Sequence, residues 1–96
     1  MLPEKRVENQ IKKFLDRHNA YWFKTLGGSV HAGTTDIIAC VNGYFIAIEV
    51  KKPSGGKVSA LQEFHINKVK QSGGIAFVAN SVEVVENTLK TEGVIT

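Results

Sequence analysis

The stretch Asp36-Ile37-Ile38-Ala39-Cys40-Val41-Asn42-Gly43-Tyr44-Phe45-Ile46-Ala47-Ile48-Glu49-Val50-Lys51 decides the fold of this 96-residue chain. Two apolar runs flank Asn42-Gly43, the strongest short-range signal for a two-residue β-hairpin, because the turn that suits twisted strands needs positive φ at both central residues. With Val41 facing Tyr44 across that turn, counting back in register sets Asp36 opposite Glu49. Opposed residues share a face, with Cβ atoms about 4.5–5.5 Å apart, and Lys51, two residues beyond Glu49, points the same way. Ile37, Ala39 and Val41 fall on one side of the hairpin, and Ile38, Cys40, Phe45 and Ala47 on the other. Neither side is polar, so helices are expected over both, giving an α/β fold arranged as an α/β/α sandwich.

The flanking sequence supplies those helices. Upstream, Pro3 suits a first helical turn, and Val7, Ile11, Phe14 and Leu15 recur at helical spacing up to His18. Tyr21 to Thr25 is aromatic and β-branched enough for a short strand, and Gly27, Gly28 and Gly33 bracket the loop that leads to Asp36. Downstream, Pro53 to Gly56 makes a turn, and Ser59-Ala60-Leu61-Gln62 has the form of a capping box opening a helix to about Gln71. Gly73-Gly74 stops it, Ile75 to Ala79 reads as a buried strand, and Ser81 opens a last helix carrying Val82, Val85 and Leu89. The order is α-β-β-β-α-β-α in one domain spanning residues 1–96, with a mixed sheet. The strand-helix-strand step from Tyr44 to Ala79 calls for a parallel pair joined by a right-handed crossover.

Composition narrows the function classes. A chain that is 43% hydrophobic and 22% charged is neither disordered nor low-complexity, and it has no apolar run near the ~18 residues of a membrane span. The single cysteine, Cys40, excludes a disulfide framework or a thiolate metal site within one chain. With no leader-like start, a reducing cytoplasm is the expected compartment, the host's if the chain is virus-encoded. The net charge of +3 leans toward an anionic partner without identifying one.

The chemistry lies in the acid pair. Two carboxylates so close repel each other, which is costly at a strand end unless a cation or proton sits between them. Mg²⁺ and Mn²⁺ prefer such hard oxygen ligands and keep positions free for water and a phosphate oxygen. The plain alternative makes Asp36 the end of a loop and Glu49–Lys51 an exposed ion pair. It weakens because Glu49 follows Phe45-Ile46-Ala47-Ile48, emerging from a buried strand where an unpartnered acid is expensive.

Gly33-Thr34-Thr35-Asp36, then Glu49-Val50-Lys51 behind an apolar hairpin, then Gln62 early in the next helix, resembles the VRR-NUC (virus-type replication-repair nuclease) branch of the PD-(D/E)XK superfamily. The likeness runs from Glu8 to the final helix. Thr35 stands where the motif's name has proline, at a position that shapes the turn and binds no metal. The resemblance implies a metal-dependent DNA endonuclease acting on branched, junction or repair-type DNA. Asp36, Glu49 and the main-chain carbonyl of Val50 would bind Mg²⁺ or Mn²⁺, and Lys51 would orient or help deprotonate the attacking water or stabilise charge on the phosphate. Glu8 would be the acid from the first helix, acting on the metal directly or through water, and Gln62 would sit near the phosphate or Lys51.

Plainer roles stand beside these. Glu8 lies at the edge of the buried stripe, and its plainer reading is an exposed acid paired with Lys12 at i+4; Glu4 is its rival, explained by the helix dipole. Gln62 completes a capping box with Ser59 whether or not it meets a phosphate. Lys12, Lys13, Arg17, Lys24, His31, Lys52 and Lys57 are candidates for DNA contact, although those on the first helix are most simply its solvated face, together with Lys5 and Arg6. Gly28 to Thr35 is no nucleotide loop, since Thr34 stands where the phosphate-binding lysine must be. The three histidines lack metal-ligand spacing. Trp22 and Phe23 suit either base stacking or the core, with the core favoured for at least one. A homodimer is expected, because small chains gain buried surface by two-fold pairing and two strands need two sites. Its candidate surfaces are the Tyr21 to Leu26 strand, the Gly-rich loop and the Val94-Ile95 segment. A non-cleaving DNA-binding or accessory subunit of the same fold is the competing function.

Overall fold

A computed structural model describes residues 2–25 and 32–96. Pro3 starts the first helix, α1 (Pro3–Arg17), where its missing N–H costs nothing, and Val7, Ile11, Phe14 and Leu15 form its buried stripe. An edge strand, β1 (Tyr21–Lys24), follows, and then the hairpin β2 (Ile37–Val41) and β3 (Tyr44–Val50). Asn42 and Gly43 have φ of 50° and 86°, as a tight hairpin turn requires. Val41 pairs with Tyr44 and Ile37 with Ile48, the register read from the sequence. Ser59 caps α2 (Ala60–Gln71) with both bonds of a capping box, β4 (Ile75–Ala79) lies parallel to β3, and Ser81 caps α3 (Val82–Thr91). The sheet order is β1-β2-β3-β4.

The two sheet faces are packed unequally. Residues of α1 and α3, with Val94, cover Ile37, Ala39, Val41, Ile46, Ile48 and Val50 in the main core. On the other face α2 has only a small cluster of Ala47, Ile66 and Ala76 beneath it, with Ile38, Val69 and Val78 at its margin. Because α2 bridges β3 to β4, it lies over that half of the sheet, and among the described residues the β1–β2 half is left bare. Tyr21 is 75% exposed, Phe23 47% and Phe45 49%, and Cys40 between them is exposed as well. The expected helical cover of both faces is therefore complete on one and partial on the other. Among the described residues, no helix is long and apolar enough to cross a membrane.

Candidate active site at the strand ends

The hairpin register determines where the acids meet. β2 begins at Ile37, so Asp36 stands one residue before the ladder, level with Glu49. Its Oδ2 accepts the Val50 N–H at 2.7 Å, filling the place of the next ladder bond. Thr25 holds Asp36 from the other side: its N–H donates to the Asp36 carbonyl at 2.9 Å, and its hydroxyl donates to the Thr35 carbonyl at 2.7 Å. Asp36 thus has its main chain and one carboxylate oxygen restrained before any ligand arrives.

Glu49 is 3% exposed. Its Oε2 accepts from the Gln62 side-chain amide at 2.9 Å and pairs with the Lys51 ammonium at 3.3 Å. Its Oε1 is buried and has no donor among the described residues. Burial first, and then the Asp36 charge, push the Glu49 carboxyl up to about 7, against the opposing pull of Lys51. The two acids are therefore neighbours in a place that favours one proton between them. A divalent cation meets the same need, and Mg²⁺ is commonly bound through one or two carboxylates, with water and phosphate oxygens completing the shell. The unpartnered Oε1, the Asp36 carboxylate and the adjacent Val50 main chain form a donor set that fits such an ion.

Gln62 closes the capping box and contacts Lys51 and Glu49 in one conformation. Its N–H donates to the Ser59 hydroxyl at 3.1 Å, and its Oε1 accepts from the Ser59 N–H at 2.9 Å, which closes the capping box. The same Oε1 receives a long contact from Lys51 at 3.4 Å, and the amide nitrogen donates to Glu49. The first turn of α2 is thereby tied to both the acid and the lysine of β3.

No family model matches the sequence, and no curated protein matches it at a significant level. Among solved structures, a VRR_NUC domain superposes with a TM-score of 0.80, covering 94% of this chain and 97% of that one at 22% identity. A VRR_NUC domain protein does so with a TM-score of 0.76, covering 95% and 88% at 20% identity. The chain has the VRR_NUC fold. Asp36, Glu49, Lys51 and Gln62 come together at one end of its sheet.

Glu8 has its own set of partners. It is 5% exposed, and three ammonium groups surround it: Lys5 and Lys24 at 2.7 Å and Lys12 at 2.9 Å. Although burial raises its pKa, the bonds from Lys24, Lys5 and Lys12 together bring it down to about 2. Among the described residues no group of three His, Cys, Asp or Glu side chains is placed to hold a metal. In this structure both Glu8 oxygens accept from lysines, and its expected part beside Asp36 and Glu49, directly or through water, belongs with the proposals below. It is not the exposed acid of the plainer alternative, although the Lys12 pair is present.

The sequence did not indicate Thr25, and it offered Lys24 for DNA contact but not for Glu8. Thr25 pins Asp36, and Lys24 reaches Glu8 from β1. The available signal for Lys24 was its position: Trp22 and Lys24 alternate with Tyr21 and Phe23, so a lysine falls on the face otherwise given to the core. Trp22 packs against that core and donates its indole N–H to Asp16 at 2.7 Å, whereas Phe23 stays half-exposed on the other side. His18 stacks on Phe14 with ring centroids 4.4 Å apart, and His65 meets Phe64 edge-on. Lys13, Arg17, Lys52 and Lys57 are exposed. His31, with Gly27 and Gly28, lies outside the described residues. A cavity of about 520 Å³ between Tyr44, Phe45, Lys68, Val69 and Gly74 is at the hairpin-turn end of the sheet, away from the acids, and no carboxylate lines it.

Proposed function

We propose that the chain is a Mg²⁺- or Mn²⁺-dependent DNA endonuclease that hydrolyses phosphodiester bonds, selective for branched, junction or repair-type DNA. The observation that carries this reading is the buried Glu49 oxygen without a donor, beside the Asp36 carboxylate, at the strand ends of a nuclease-family fold. Asp36, Glu49 and the Val50 carbonyl would hold the ion, with Glu8 beside them directly or through water. Once bound, the ion supplies a better water nucleophile near neutral pH and draws charge from the phosphoryl oxygen. Lys51, 14% exposed at its side chain, stands over the same space and donates to the water or to the phosphate as charge builds there. Gln62 keeps Lys51 and Glu49 in mutual register. A domain that only held DNA would gain nothing from a donorless buried carboxylate, which disfavours the non-cleaving alternative. The reaction would take place in a reducing cytoplasm, where Cys40 remains a thiol.

The working unit in this reading is a homodimer that presents two such sites. Its supporting feature is the bare β1–β2 half of the sheet face, where Tyr21, Phe23, Cys40 and Phe45 form an uncharged surface. The Val94-Ile95 segment is withdrawn as a candidate, because Val94 is buried and Ile95 packs on the main core. Incubating the protein with branched and linear DNA, with and without Mg²⁺ or Mn²⁺, tests the activity. Nicks that require the ion are expected; mobility shifts with no cleavage under any ion would transfer the chain to the binding class.

A further inference from the structure

The chain's charge is distributed unevenly. Residues 1–25 hold six Lys and Arg against three acids, and the rest of the chain holds six against six, so the net charge of +3 belongs entirely to α1 and β1. Within that region three ammonium groups converge on the single carboxylate of Glu8, which needs only one for neutrality. The side chains of Lys5, Lys24 and Lys12 remain 48%, 36% and 22% exposed, so their positive charge faces solvent while their positions are set from below. Lys24 is the last residue of β1, paired with Ile37, and so it emerges at the same end of the sheet as Asp36. From there a groove of about 490 Å³ follows the outer side of α1, between Arg6, Gln10, Lys12, Lys13, Asp16 and Trp22. Lys12 belongs to both features and lies 5.7 Å from the Trp22 ring centroid.

We infer that this cluster and groove form a phosphate-backbone track, in which Glu8 is the keystone that holds Lys5, Lys12 and Lys24 ready for successive phosphates of a DNA strand leaving the acid site. Lys5 and Lys12, like Arg6 and Lys13, are seven residues apart on α1, two helical turns or about 10.5 Å, so the cations form two parallel rows along the groove. One carboxylate with three lysines leaves two positive charges uncompensated, the condition for attracting a polyanion. The proposal rests on the nuclease reading for the identity of the polyanion, and its test separates the two.

Fluorescence anisotropy with labelled branched DNA, in EDTA so that nothing is cut, measures affinity across a salt series. Arg6→Gln/Lys13→Gln leaves Glu8 and its bonds untouched, and Lys5→Gln leaves Glu8 with two lysines, so neither variant depends on the clamp surviving intact. Each is expected to bind about tenfold more weakly near physiological salt, with a salt slope shallower by about 1 per lost contact. Lys68→Gln/Lys70→Gln, on α2, should bind like the unaltered protein. Trp22, the only tryptophan in the chain, should change its emission as DNA saturates the groove. Affinity indifferent to both α1 variants, or Trp22 emission unchanged at saturation, would overturn the track while leaving the nuclease reading in place. An unaltered protein that binds no DNA at any salt would overturn both.

Discussion

Glu49 and Glu8 are buried acids with opposite titration behaviour. The folded chain keeps the Glu49 proton until about pH 7, whereas an ordinary glutamate releases it near 4.5. Its effect on metal-free stability is therefore favourable below about pH 4.5 and is lost as pH rises toward 7. The depressed Glu8 runs the other way, contributing stability above about pH 4.5 that is lost as pH falls toward 2. In EDTA, the unaltered protein should lose stability between pH 5 and 8, and Glu49→Gln should not. At pH 8 the variant should be more stable by about 1–3 kcal/mol, since its amide donates where the carboxylate repels, and it should cleave nothing. Urea melts at both pH values decide this; equal slopes would show that Asp36 and Glu49 do not oppose each other. Metal affinity should rise with pH over the same interval, because the ion displaces a proton. Lys51→Ala should suppress the rate and spare that affinity, since an ammonium donates and does not ligate. Calorimetry showing the metal lost as well would make Lys51 a structural residue. Thr35 offers a smaller test: it is 3% exposed and its hydroxyl has no partner among the described residues, so Thr35→Val should stabilise the fold by about 1 kcal/mol.

At the scale of elements, α2 couples capping to chemistry. Ser59→Ala removes the hydroxyl that accepts the Gln62 N–H and should cost about 1 kcal/mol. It should also slow cleavage beyond what that loss explains, because Gln62 is the residue tied to Glu49 and Lys51. A rate unchanged at equal folded fraction would confine Gln62 to the cap. Gly33 has φ of +83°, and a Cβ there would come within 2.5 Å of Leu61 Cγ, so the segment entering Asp36 packs directly against the first turn of α2. The hairpin register, the capping box and the order of elements were legible in the sequence because each is written locally, in Asn42-Gly43, in Ser59 with Gln62, and in alternation along β2 and β3. The lysine clamp on Glu8 was not. Lys24 reaches it from sixteen residues away, through the packing of β1 against α1, and no spacing within α1 encodes that approach. The half-bare face was hidden for a related reason: apolar residues at Tyr21, Phe23 and Phe45 state that a surface should be covered, but not that α2 stops short of them.

For the whole molecule, that bare surface sets the assembly prediction. Light scattering at micromolar concentrations should give twice the chain mass, and Phe23→Glu with Phe45→Glu should halve it, by placing charge in a contact that is otherwise uncharged. A monomer mass for the unaltered protein, with cleavage linear in enzyme concentration, would rule the dimer out.

The placement of β1 has a broader consequence. Trp22 and Lys24 face α1, whereas Glu49 and Lys51 lie at the margin of the other face, and Asp36 stands at the sheet end where the two faces meet. If the proposed track and activity hold, a substitution on the outer rows of α1 would alter the grip on a strand and leave the acid pair in place. Substrate preference could then drift through neutral steps while the acid pair stayed under constant selection. Retargeting would mean rewriting the outer rows of α1 and keeping its buried stripe.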